Sequence, residues 1–149
     1  MIRAPEVPRI FVDFDGVLRP DSAPRDMLDA ACVGRFAECV LTHSGARVVI
    51  ASTWRLAYSL DELRAMFPLE LAARIEGATP MLRAANYHRI RDDEVAAYLR
   101  KLGAASSHWI AVDDKPALYG PNAPVLAIDP ECGFDDAAAR ALRCWLDGA

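Results

Sequence analysis

Arg9-Ile10-Phe11-Val12-Asp13-Phe14-Asp15-Gly16-Val17 is an apolar run that ends on two carboxylates and a glycine. A continuous apolar run of this length reads as a strand buried on both faces, as in a parallel sheet. The carboxyl ends of such strands open onto the crevice where open α/β sheets bind ligands, so Asp13 and Asp15 are delivered to that crevice. Two acids at i and i+2 serve one site beyond the strand end only if the backbone bends, and Gly16 permits the bend.

Working outward, Arg47-Val48-Val49-Ile50-Ala51-Ser52 and Trp109-Ile110-Ala111-Val112-Asp113-Asp114 repeat the pattern of a buried strand with a polar end. Val125 to Ile128 is a further strand, and a short one is expected at Ile75 to Ala78. Between them the periodicity predicts helices at Ala30 to His43, stopped by Gly45, and from Asp92 to Leu102, stopped by Gly103. Ser59-Leu60-Asp61-Glu62 has the form of a capping box opening a helix that Pro68 ends or interrupts, and Asp135 opens a terminal helix. Val17 to Asp29, with Pro20 and Pro24, reads as a flap over the first strand end, and residues 79 to 88 as a loop. This alternation predicts an α/β fold: a Rossmann-like three-layer sandwich with a mostly parallel sheet of about five strands, helices on both faces and no large cap.

The 149 residues fit a single domain over 1–149. Their composition is that of a globular protein, 53% hydrophobic and 26% charged. No apolar run is long enough for a membrane span and the first residues lack the apolar centre of a signal peptide, so the expected compartment is the cytoplasm. A net charge of -4 argues against a protein that coats nucleic acid, although 15 of the 17 basic residues are arginine, which grips phosphate bidentately. Cys32, Cys39, Cys132 and Cys144 have no metal-site spacing and read as reduced thiols, mostly in the core.

Parallel strands bring their carboxyl ends to one sheet edge, so Asp13 with Asp15, Ser52 with Thr53, and Asp113 with Asp114 become neighbours. Carboxylates gathered this closely repel one another, which a divalent oxygen-seeking ion such as Mg²⁺ relieves while bridging to a phosphate. An anionic nucleophile also needs cations and hydrogen-bond donors around a transferring phosphoryl group. Ser52 supplies a hydroxyl, and Arg91, Arg89 and Arg55 compete for the cation.

Asp13-Phe14-Asp15-Gly16-Val17, the strand-terminal Ser52, a basic residue ahead of a later strand and Asp113-Asp114 together resemble the four motifs of the haloacid dehalogenase-like (HAD) phosphatase superfamily, in order and across about the whole chain. More closely, Ser52-Thr53-Trp54-Arg55, Thr79-Pro80, Arg91-x-x-Glu94-Val95-x-x-Tyr98-Leu99 and Trp109 to Asp114 resemble the HAD domain of Swiss-army-knife RNA repair proteins. The resemblance implies that Asp13 attacks phosphorus and forms an aspartyl-phosphate, while Asp15 protonates the leaving oxygen and then activates water. It implies that Asp13, the backbone carbonyl of Asp15, and Asp113 hold Mg²⁺, with Asp114 acting directly or through water. Ser52 and Thr53 are then the phosphate-binding hydroxyls, with Ser52 first, and Arg91 best fits the third motif.

Each of these residues also has a structural reading. Ser52 and Thr53 can cap the helix that follows, Trp54 can be a packing aromatic, Arg55 can pair with an acid, and Asp92-Asp93-Glu94 can complement the positive end of its own helix. Lys115 can neutralise the acid pair before it. His43, His88 and His108 read as structural or exposed, with His88 beside Tyr87 the one placed to touch substrate. The function expected is an Mg²⁺-dependent phosphomonoester hydrolase acting through Asp13. Its partner is a phosphorylated substrate, either macromolecular (a nucleic-acid end or a phosphoprotein) or small and enclosed by a second copy. The alternatives are a polynucleotide phosphatase acting on RNA ends and a noncatalytic phosphate-binding module.

Overall fold

The computed structural model describes residues 6–82, 89–103 and 108–148. The quoted stretch is the centre of the fold. β1 (Arg9–Val12) lies between β2 (Arg47–Ile50) and β4 (Trp109–Asp113), with β3 (Ile75–Ala78) and β5 (Val125–Ala127) outside them. All four pairings are parallel, so the sheet runs β3-β2-β1-β4-β5. Val12 is in register with both Ile50 and Val112, so the residues that follow on three neighbouring strands emerge at one level. The chain leaves β1 towards β2 and β3 and returns on its other side as β4, so the strand order reverses at β1 and opens a crevice there.

Alternation along β1 feeds two layers of core. Ile10 and Val12 pack with α1 (Ala30–Leu41) and α5 (Asp136–Asp147), through Phe36, Val40, Leu142 and Leu146. Phe11, with Val49 and Ala111, faces α4 (Ile90–Leu102) through Val95 and Leu99. Both faces of the sheet are thereby covered, which is why these strands read as unbroken apolar runs. The link between β2 and β3 holds a 3-10 turn at Thr53–Leu56 and two short helices, α2 (Leu60–Arg64) and α3 (Leu69–Ala72). No large cap interrupts the core among the described residues.

Most boundaries fall where the pattern places them, and the departures have local causes. The Ser59–Glu62 capping box is formed in both directions, and Pro68 splits the expected helix in two by serving as the N-cap of α3. α1 stops at Leu41, two residues early, with Thr42 rather than Gly45 as its C-cap, and the Thr42 hydroxyl donates to the Cys39 carbonyl at 2.6 Å. Gly103 does close α4, in the left-handed conformation (φ 81°). α4 begins at Ile90 rather than Asp92, so Arg91 stands in its first turn. Cys32 and Cys39 are buried as expected, but Cys132 and Cys144 are exposed. Cys144 misses the core because the buried residues of α5, Ala138, Ala139, Leu142 and Leu146, form a stripe on another face of the helix. No helix among the described residues is long and apolar enough to cross a membrane.

Candidate active site

Asp13 follows β1 directly and is 4% exposed. Its Oδ1 accepts from the Phe14 N–H at 2.8 Å, which turns the carboxylate out of the strand direction, and Gly16 (φ 77°) completes the bend. Asp113 ends β4 and is fully buried: Oδ1 accepts from the Lys115 N–H at 2.9 Å and Oδ2 from the Tyr119 hydroxyl at 3.1 Å. Lys115 thus contributes its backbone to the acid pair while the residue itself is exposed. Asp114 packs against Gly16, where a Cβ would stand 2.5 Å from Asp114 Oδ2.

Arg91 joins these strand ends. Its Nη1 lies 3.2 Å from Asp113 Oδ2 and 3.6 Å from Asp13 Oδ1, and it donates to the carbonyl of Ala51, which follows β2. Burial works against its charge, but Asp13 and Asp113, with smaller help from Tyr119 and Glu94, together hold its pKa above the usual value. Burial drives the Asp13 carboxyl well above the ordinary carboxylate range, against the pull of Arg91 and with the push of Asp113 and Asp114. Asp114 is raised in the same way, by burial first and by Asp113 second.

One oxygen from each of Asp13, Asp113 and Asp114 lies within 4.8 Å of the others. Asp114 Oδ1 is buried with no hydrogen-bond partner among the described residues. Three hard oxygen donors, two of them with raised pKa values and one left without a partner, fit a divalent cation of the Mg²⁺ kind, which would satisfy the free oxygen and offset the crowding.

The Asp15 carboxylate stands apart from this group. Its Oδ1 accepts from Arg19 Nη1 and its Oδ2 from the Trp54 indole N–H, each at 3.1 Å. It lines a cavity of about 660 Å³ together with Arg19, Arg25, Thr53, Trp54 and Tyr58. Ser52 is fully buried and caps the 3-10 turn by accepting from the Trp54 N–H at 3.2 Å, while Thr53 is exposed on the same turn. Trp54 is a packing aromatic, edge-on to Phe14 with ring centroids 5.4 Å apart, and also a donor to Asp15.

Of the competing arginines, Arg55 is spent elsewhere: it donates to Thr79 O, Ser52 O and the Glu94 carboxylate. Glu94 is therefore not a solvated residue at its helix end but a buried partner, which also accepts from the Leu82 N–H. Asp92 accepts from the Gly120 N–H at 2.9 Å. Arg89 is exposed. His88 and Tyr87 lie outside the described residues. His43 accepts from the Gly45 N–H, and His108 stacks on Trp145 at 4.3 Å, so both have structural roles. Sequence reasoning missed Tyr119 and Arg19 as partners of the acids. The only signal for Arg19 was its place four residues after Asp15 in the flap.

A parallel sheet whose reversal point carries buried aspartates, with a helix-borne arginine reaching back to them, is the architecture of an HAD-like domain. The family description that matches residues 9–139 is the HAD domain in Swiss Army Knife RNA repair proteins, and the chain belongs to that family. Comparison with curated proteins finds no match.

Proposed function

We propose that the protein is a Mg²⁺-dependent phosphomonoester hydrolase that works through an aspartyl-phosphate on Asp13. The observation that carries this reading is the convergence of Asp13, Asp113 and Arg91: a carboxylate at the strand end, a second beside it, and a cation within 3.6 Å of both. A cation held by Asp13, Asp113, Asp114 and the Asp15 carbonyl would neutralise charge on the phosphoryl group and orient it.

Asp13 supplies the attacking oxygen. Arg91, anchored on the Ala51 carbonyl, is held beside Asp13 and Asp113 and keeps Nη1 where a phosphoryl oxygen would come. Such preorganised charge acts most strongly where burial has lowered the local dielectric. Ser52 and Thr53 supply hydroxyls at the neighbouring strand end. Asp15, at the edge of the 660 Å³ cavity, protonates the leaving oxygen and afterwards takes a proton from the attacking water.

The family description favours a narrower substrate, a phosphate on an RNA end, since it comes from RNA repair proteins. A core with no large cap suits a phosphate presented on a macromolecule. The deciding experiment is a screen of phosphomonoesters with Mg²⁺, including 3′- and 5′-phosphorylated oligonucleotides, comparing wild type with Asp13→Asn. Turnover by wild type alone, stopped by chelation and restored by Mg²⁺, supports the reading. Binding of phosphorylated ligands without turnover would leave a noncatalytic module instead.

A further inference from the structure

Arg19 is a charged side chain, 5% exposed, inside the flap that follows β1. All three of its nitrogens are engaged. Nε donates to Pro24 O at 3.1 Å, Nη2 to Ala23 O at 2.6 Å, and Nη1 to Asp15 Oδ1 at 3.1 Å. Its backbone is tied to the same place, for the Gly16 N–H donates to the Arg19 carbonyl at 2.8 Å and Asp15 and Arg19 form a β-bridge. Stapling the flap needs only the two carbonyl contacts. The third nitrogen instead reaches a carboxylate whose side chain is 47% exposed. The other oxygen of that carboxylate is taken by Trp54, which also lines the cavity.

A carboxyl gripped at both oxygens from two different elements is fixed in plane and direction, which a proton transfer over hydrogen-bond distance requires. We propose that Arg19 is a positioning residue for Asp15: with Trp54 it aims the carboxyl at the cavity that receives the leaving group, and through Ala23 and Pro24 it makes that aim depend on the folded flap. This rests on the reading of Asp15 as the acid and base of the reaction. In the first step an Asp13 oxygen bonds to phosphorus as the ester P–O bond breaks, and the leaving oxygen takes the Asp15 proton with the electron pair of that bond. In the second, water attacks phosphorus and gives its proton to Asp15, the bond from Asp13 to phosphorus breaks, and inorganic phosphate leaves. Arg19 touches none of the reacting atoms.

The test compares an alkyl phosphate that wild type hydrolyses with dinitrophenyl phosphate, whose leaving group departs without a proton. Three variants are measured: Asp15→Asn, Arg19→Gln, and Trp54→Phe, which keeps a smaller ring against Phe14 and removes the N–H donor. Arg19→Gln and Trp54→Phe should each lower kcat/KM, which reports the first step and not the shared hydrolysis of the aspartyl-phosphate, about tenfold or more on the alkyl ester beyond any loss on the aryl ester, and Asp15→Asn should show the same selectivity at roughly 10²-fold or more. Arg19→Gln added to Asp15→Asn should bring no further selective loss. Equal losses on both esters in Arg19→Gln, while Asp15→Asn remains selective, overturn the positioning role and leave the reading of Asp15 intact. An unselective Asp15→Asn overturns that reading, and the positioning role with it. If Arg19→Gln does not fold, Arg19→Lys, which keeps a cation in the flap but replaces the guanidinium fork with a single ammonium, decides the matter by the same criterion.

Discussion

Arg91 Nη1 stands 3.2 Å from Asp113 Oδ2, so a cation on α4 and an acid at the end of β4 form one buried pair across the sheet edge. The same nitrogen is 3.6 Å from Asp13 and bonded to the Ala51 carbonyl, which fixes it over three strand ends. Such a group has little freedom to reorganise during reaction, the condition under which a fixed charge lowers a barrier most. Arg91→Ala should lower kcat on a small aryl phosphate by roughly a hundredfold or more, with a smaller change in KM. Unchanged kcat in a folded variant would remove Arg91 from the chemistry.

Arg55 should behave in the opposite way. Its pair with Glu94 is buried, with side chains 7% and 5% exposed, and its other nitrogens hold the carbonyls of Ser52 and Thr79. Breaking a buried pair strands the remaining charge and costs about 3–5 kcal/mol. Arg55→Ala should therefore lower the melting temperature by on the order of 10 °C. Circular dichroism melts beside kinetics on the folded protein separate the two arginines: Arg91→Ala loses turnover, Arg55→Ala loses stability.

The strands and their acids were legible because burial on both faces leaves an unbroken apolar run, and a run ending in Asp can only deliver the acid to the sheet edge. Asp13, Asp113 and Asp114 needed nothing more than strand direction to be brought together. Arg91 was preferred already from its place ahead of β4 and its match to the third motif; only the folded chain shows that Arg55 is committed to Glu94. Glu94 reads as a complement to the positive end of its own helix in Asp92-Asp93-Glu94, and only the fold shows it buried and accepting from Arg55 and from the Leu82 N–H. Arg19 was hidden for a different reason. Its contact with Asp15 depends on the irregular backbone of the flap, where no periodicity tells which side chain turns inward. Cys144 was misread although its helix carried the signal, because the apolar stripe of α5 leaves that position outside.

The cysteines give a pH dependence. Burial, with the Asp29 contact second, pushes the Cys32 thiol up to about 11 from its ordinary 9.0. The fold thus keeps a proton that the unfolded chain releases, so the contribution is fully present below about pH 9 and is lost as pH rises towards 11. Urea midpoints of wild type should fall relative to those of Cys32→Ala across that window and run parallel below it. At pH 8 a disulfide reagent should modify Cys132 and Cys144 readily in the native protein, and reach the buried Cys32 and Cys39 only in denaturant. Rapid modification of Cys32 in the native protein would contradict its burial.

Gly16 links the bend after β1 to the candidate metal site, and a pair of glycine substitutions tests that link. Its φ of 77° is one that side chains rarely adopt, and a Cβ there would meet Asp114 Oδ2 at 2.5 Å and its Cγ at 2.7 Å. Gly16→Ala must strain the turn and displace the Asp114 carboxylate from its present position beside Asp13 and Asp113. Gly34, inside α1, has nothing within 4 Å of its Cβ position. Gly34→Ala should therefore raise stability by about 0.5–1 kcal/mol through helix propensity alone. Gly16→Ala should lower the melting temperature and raise the Mg²⁺ concentration needed for half-maximal activity, whereas Gly34→Ala should leave the Mg²⁺ requirement where it is. Titrating Mg²⁺ against activity in both variants is decisive, because a Gly16→Ala enzyme with the wild-type Mg²⁺ requirement would show that Asp114 is not held in place by the missing Cβ.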